Sequence, residues 1–378
     1  MKVGKHLKRS VWLVLGAGLV LTVFLLKPVL PPLDNSMVSS QAPSLSAEES
    51  TADKLTENPV ALRELAQQKN VRVGAAVLMD LFKDDADYRS LLAREFNSLT
   101  PENAMKFARL QPKPGRYRFS DADDLMDFAK AHQMQVHGHV LVWHRNLPNW
   151  LTDKTWSRQA LKQILKRHIF TVVGRYRGQV AAWDVVNEAV ERQGQLRESI
   201  WSKTIGPDYI ELAFRWAHEA DPGAKLFYND YRGEGLGRKS DAIYALAQEL
   251  LQRDVPISGV GLQMHTSIQD APKPEKIAAN IRRLNDLGLS VRITEMDVQI
   301  YGDERPEAER LQAQAAVYQD TMAVCLAATD CTGLTTWGIS DRHSWIPAFF
   351  DRPDAPLLFD EDYQRKPAYD ALIDALDP

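Results

Sequence analysis

Cysteine is almost absent from this chain: of 378 residues, only Cys325 and Cys331 carry a thiol. A cysteine-based zinc centre is therefore excluded. The two lie six positions apart. They either close a small disulfide loop in an oxidising compartment or stay two separate buried thiols. Excess positive charge is also lacking. The net charge is -4, which leaves no basic footprint and excludes nucleic acid as an expected partner. No G-x-G-x-x-G follows the first candidate strand, so the phosphate loop of an open dinucleotide-binding sheet is missing. No low-complexity segment or second linker follows residue 58.

What is present begins with a basic flank. Lys2, Lys5, Lys8 and Arg9 precede a sixteen-residue apolar run, Val11 to Leu26. As a helix it would reach roughly 24 Å, against a bilayer core of about 30 Å. No A-x-A-like site directly follows Leu26, and Val38-Ser39-Ser40 lies well downstream. Residues 1–33 thus read as a cleaved signal peptide or an uncleaved anchor. Either places the rest outside the cytoplasm, secreted, periplasmic or membrane-tethered. Residues 34–58, rich in Ser, Ala, Pro, Glu and Gln, read as a flexible tether. Residues 59–378 have uniform texture and read as one folded domain, expected to act as a monomer.

The full chain is 44% apolar and 25% charged, as in a soluble protein with a large core. Apolar runs at Val71–Val77, Phe96–Glu102, Gln135–Val142, Val180–Glu188, Lys225–Tyr231, Gly259–His265, Ser290–Val298 and Gly333–Ser340 predict eight strands. Amphipathic stretches between them predict helices: Asp121–His132, Ser157–Val173, Tyr209–Ala220, Arg238–Arg253, Pro274–Leu287, Pro306–Ala328, and finally Pro367–Leu376. Eight such units in about 300 residues predict a closed (β/α)8 TIM barrel.

Barrels keep chemistry at the C-terminal ends of their strands. Those ends carry Glu102, Asn103 and Lys106; His139, Trp143 and His144; Asn187 and Glu188; Asn229, Asp230 and Tyr231; Gln263 and His265; Glu295 and Asp297; Trp337 and Trp345. A structural core would put aliphatic residues there. Glu188 and Glu295 end separate strands, and glycoside hydrolysis needs two carboxyl groups flanking the scissile bond. Asn187 adjoins Glu188, but neighbouring strand residues face opposite ways, so both reach one site only where the backbone bends. His265 is placed to donate to Glu295, and Asp297 to orient that histidine. His137 and His139 share a strand face as a possible metal pair, yet no complete ligand set accompanies them, so no metal or cofactor is expected.

Five ordered motifs resemble family 10 glycoside hydrolases, the retaining endo-1,4-β-xylanases. They are Thr100-Pro101-Glu102-Asn103-Ala104-Met105-Lys106, Gly138-His139-Val140-Leu141-Val142-Trp143-His144, Trp183-Asp184-Val185-Val186-Asn187-Glu188-Ala189, Gly261-Leu262-Gln263-Met264-His265 and Ile293-Thr294-Glu295-Met296-Asp297-Val298. The resemblance implies Glu188 as acid/base and Glu295 as nucleophile, acting on xylan and xylo-oligosaccharides. It implies that Asn187, His139, Trp143, Gln263, His265, Trp337 and Trp345 line the attacked sugar. Glu102, Asn103 and Lys106 would hold the next sugar, Tyr231 would stack on the leaving-group side, and Asp297 and His144 would stand behind. Cys325 and Cys331 match a disulfide position common in that family. Phe107, Val140, Arg145-Asn146 and Arg232 depart from the family pattern. The readings that compete are a retaining β-1,4-glucanase, a non-catalytic glycan-binding protein and a metal-dependent amide hydrolase.

Overall fold

The computed structural model describes residues 60–377. The apolar run Val11–Leu26 and the tether lie outside them. No helix among the described residues is long and apolar enough to cross a membrane.

Nine parallel strands form the sheet: β1 Arg72–Val77, β2 Ser98–Pro101, β3 Gln135–Gly138, β4 Ala182–Asn187, β5 Lys225–Asp230, β6 Gly259–Leu262, β7 His265–Ser267, β8 Ser290–Gln299 and β9 Cys331–Thr336. They run in the order β6-β5-β4-β3-β2-β1-β9-β8-β7, and a β6–β8 pairing closes the ring. β6 and β7 are one stave interrupted at Gln263-Met264, since both pair with β8. The barrel therefore has eight staves, with β8 the seventh and β9 the eighth. The interruption has a local cause: Met264 sits in the left-handed region at φ 66°.

Strands covered on both sides read as continuous apolar runs, and β1, β4 and β5 are buried almost throughout. The outer layer includes helices Ser120–Ala131, Arg158–Arg175, Tyr209–Ala220, Arg238–Gln252, Pro274–Asp286, Glu307–Ala327 and Pro367–Leu376. Their starts follow sequence signals. The Ser157 side chain accepts from Ala160 N, and Pro274 opens its helix, where a missing N–H loses nothing. Trp183 is wholly buried in β4, and only a glycine fits opposite it: a Cβ on Gly138 would lie 2.2 Å from the indole. Cys325 and Cys331 are bonded, with Cα atoms 5.2 Å apart, and clip the helix Glu307–Ala327 to the start of β9.

Candidate active site

Glu188 and Asn187 share one space because the ladder ends there. β4 pairs with β5 up to Asn187 opposite Asn229. Glu188 N still donates to Asn229 O at 2.9 Å. Its own φ of 56° is left-handed, which supplies the bend the sequence pattern required. Glu188 is half-buried and loosely held. Gln263 Nε2 lies 3.3 Å from its Oε1 and Asn187 Nδ2 lies 3.5 Å away. His144 Nδ1 is 3.8 Å from Oε2, beyond hydrogen-bond length. Burial and the charges of Arg197, Arg145 and Lys239 push His144 down to about 4, so it is neutral at pH 7.

Glu295 stands on β8 at a register shift between Ile293 and Met296. That bulge turns two successive residues, Thr294 and Glu295, toward the same partner. Thr294 Oγ1 donates to Asn229 Oδ1 at 2.6 Å, and Asn229 Nδ2 donates to Glu295 Oε1 at 2.6 Å. The hydroxyl fixes which end of the amide faces the carboxylate. Gly261 makes the room, since a Cβ there would come within 2.3 Å of Asn229 Oδ1. His265 Nε2 lies 3.2 Å from Glu295 Oε2, its Nδ1 lies 2.8 Å from Asp297 Oδ2, and Trp345 Nε1 donates to that same oxygen at 2.8 Å. Burial alone would lower His265, but Asp297 and Glu295 outweigh it and hold the ring well above its ordinary value. His265 is therefore a cation donating in both directions.

Near Glu295, Asp184 binds His137 on β3 and His139 just past its end. His137 Nε2 and His139 Nδ1 each lie 2.8 Å from one of its oxygens. The pair weighed as metal ligands thus shares a buried carboxylate. His139, Asp184 and Glu295 do offer atoms within 4.8 Å of one another, but both Asp184 oxygens are already engaged.

To one side, Lys106 Nζ lies 3.1 Å from Asn103 Oδ1, and Asn103 Nδ2 lies 3.1 Å from Glu102 Oε1. The ammonium sits 5.1 Å from the Trp143 ring and 5.9 Å from Trp337. Burial lowers Lys106 against the pull of Glu102, Glu295 and Glu188, and raises Glu102 against Lys106. Trp337 is only 7% exposed, packed edge-on to His139, so it forms wall rather than open platform. On the other side, Lys239 Nζ lies 3.4 Å from the Tyr231 ring centroid and 2.7 Å from Asp230 Oδ1. Arg197 Nη2 donates to Tyr231 Oη at 3.0 Å. The structure thus gathers Glu102, Asn103, Lys106, His139, Trp143, Asn187, Glu188, Tyr231, Gln263, His265, Glu295, Trp337 and Trp345 at one end of the barrel.

The profile of Glycosyl hydrolase family 10 matches residues 61–375. The chain belongs to this family. It is 42% identical over 320 residues to endo-1,4-beta-xylanase B of Thermotoga neapolitana, covering 84% of this chain and 92% of that one. It is 39% identical over 355 residues to Exoglucanase XynX of Acetivibrio thermocellus, covering 90% of this chain but 32% of that protein. Xylanase 10B from Thermotoga petrophila RKU-1 in complex with xylobiose superposes with a TM-score of 0.82 at 43% identity, covering 84% of this chain and 97% of that one.

In this family 10 hydrolase, sequence reasoning placed Asn229 at a strand end and Asp184 in a motif but gave neither a role in the site. Asn229 shares a strand face with Tyr231, a signal that was available. Asp184 lies inside an apolar motif, and a buried Asp needs partners, but only the fold brings His137 and His139 to it. Among the departures, Phe107 stacks on buried His168 at 3.7 Å, away from the carboxylates.

Proposed function

We propose that this protein is an endo-1,4-β-xylanase that hydrolyses xylan with retention through a covalent glycosyl-enzyme. The carrying observation is the unequal setting of the two carboxyl groups. Glu295 receives Asn229 at 2.6 Å and cationic His265 at 3.2 Å, which suits an ionised nucleophile held in place. The Glu188 carboxyl keeps only polar contacts of 3.3 Å and longer, which suits a group that exchanges a proton. In the first step Glu295 attacks the anomeric carbon while Glu188 gives its proton to the departing sugar oxygen. In the second, Glu188 takes a proton from water as that water attacks, and Glu295 leaves as carboxylate. Trp143 and Trp345 offer rings for sugar faces and Trp337 walls the site, with Glu102, Asn103 and Lys106 beyond them.

A β-1,4-glucanase is the second reading, favoured by the relative called an exoglucanase. Products from xylohexaose and cellohexaose, followed by chromatography with anomer assignment by NMR, decide between them. The proposal expects internal cleavage of xylohexaose to β-anomers at a rate far above that on cellohexaose. Faster cleavage of cellohexaose, or α-anomers as first products, overturns it.

The enzyme is proposed to act as an extracytoplasmic monomer. The basic flank and apolar run support the location, as does the Cys325–Cys331 bond. N-terminal sequencing of exported protein tests it: a cut before the barrel means a signal, an intact Met1 on detergent-extracted protein means an anchor, and intact cytosolic protein contradicts both.

A further inference from the structure

The opposite end of the barrel holds a second feature. Arg72 opens β1, Lys225 opens β5 and Arg292 follows the start of β8. With Lys69 they line a cavity of about 490 Å³ at the N-terminal ends of the strands, far larger than the roughly 30 Å³ share of one water. Arg292 is only 5% exposed. It donates from Nε and Nη2 to Thr335 Oγ1 and from Nη2 to Ser98 Oγ. Among the described residues no carboxylate lies within ion-pair distance of any of these four cations. The lining has one acid, Asp330, whose Oδ2 is taken by Ser290 Oγ at 2.6 Å. His137 lines the same cavity, and its buried Nδ1 has no partner.

Lys69 and Lys225 are exposed and Arg72 is half-buried, so water reaches all three, whereas Arg292 is buried, and a buried cation needs a counter-charge. Burial pushes the Arg292 guanidinium down to about 10, with Asp184 opposing and Arg72 adding to the effect. We propose that this cavity binds a small oxyanion of the sulfate or phosphate kind, held by Arg72, Lys225 and Arg292. The anion supplies the missing negative charge and ties three separated staves together. It binds the folded barrel alone, so it stabilises by mass action. The catalytic end is untouched.

The test titrates sodium sulfate against sodium chloride at equal ionic strength and follows thermal unfolding of the full chain and of an Arg72→Gln/Lys225→Gln variant. Sulfate also stabilises proteins by exclusion, an effect that does not saturate. The parent is expected to show a saturable rise in Tm on top of it. The variant is expected to keep only the unsaturable part, with apparent affinity at least about tenfold weaker after losing two charge-assisted contacts. Xylanase kcat is expected to stay unchanged in both. Calorimetric titration of the unmutated protein keeps the test open if the variant does not fold, and a selenate-soaked crystal locates the anion by anomalous scattering. Parallel unsaturable shifts in parent and variant, no saturable heat with the parent, or selenate absent from this cavity overturns the proposal.

Discussion

Asn229 Nδ2 donates to Glu295 Oε1 across 2.6 Å, and the same nitrogen lies 3.1 Å from Asn187 Oδ1. Gln263 Nε2 then lies 3.1 Å from that oxygen and 3.3 Å from Glu188 Oε1. Three side-chain amides, Asn229, Asn187 and Gln263, therefore connect the carboxyl groups proposed as nucleophile and acid/base. Removing Asn229 takes away a hydrogen bond to a charged group, worth about 1.5–3 kcal/mol, or roughly 10- to 150-fold. Asn229→Ala is expected to lower kcat by that amount on every substrate. Gly261→Ala, which drives a methyl into Asn229, is expected to lower it in the same way. Steady-state kinetics with circular dichroism as a folding control reads both. Rates within twofold of the parent contradict the role given to Asn229.

His265 is expected to remain doubly protonated at pH 7.5. Its value is raised in the fold by Asp297 and Glu295 against the opposing effect of burial. The sign follows: the stability it contributes is fully present below its unfolded value of about 6.5 and is lost as pH climbs through the raised folded value. Nitrogen-15 NMR of the imidazole reads the protonation state directly. Neutral-tautomer shifts at pH 7.5 contradict the assignment.

The disulfide closes a short loop between Cys325 and Cys331. Chain entropy for so few residues gives about 2 kcal/mol. The double variant Cys325→Ala/Cys331→Ala is expected to lose that much in urea unfolding and to keep parental kcat. A large fall in kcat with unchanged stability contradicts a purely structural bond.

Full activity is expected in excess EDTA. Asp184 has both oxygens on His137 and His139, and the two Glu295 oxygens are held by Asn229 and His265. A chelator-sensitive rate restored by zinc revives the amide-hydrolase reading.

Much of this was legible in sequence because barrel strands are buried on both sides and read as apolar runs, against which buried polar residues such as Asn187 and Glu295 stand out. Polar residues interrupt those apolar runs: Glu188 stands just past the end of β4, as expected, whereas Glu295, also expected at a strand end, lies inside β8, which runs on to Gln299. Stave boundaries were less legible. The third stave was expected to run to Val142 and ends at Gly138; only an isolated bridge joins Val142 to Val186. The sixth was expected as one strand and breaks at Met264, whose left-handed backbone no periodicity announces. Short helices such as Met79–Asp84 and Trp345–Phe350 carry too few residues for a pattern. Asn229 was noted at a strand end but given no role, because that role depends on Gly261 and Thr294 on neighbouring staves.

Glu188 and Glu295 are proposed to divide the work as acid/base and nucleophile, and matched alanine variants separate the two roles. A general acid matters only when the leaving group needs a proton, whereas a nucleophile matters for every substrate. Glu188→Ala is expected to lose nearly all activity on xylan and to retain far more on an aryl xylobioside with an acidic phenol, with azide accelerating it. Glu295→Ala is expected to be inactive on both. Equal loss on the two substrates in Glu188→Ala with no azide effect, or near-normal activity in Glu295→Ala, contradicts the account.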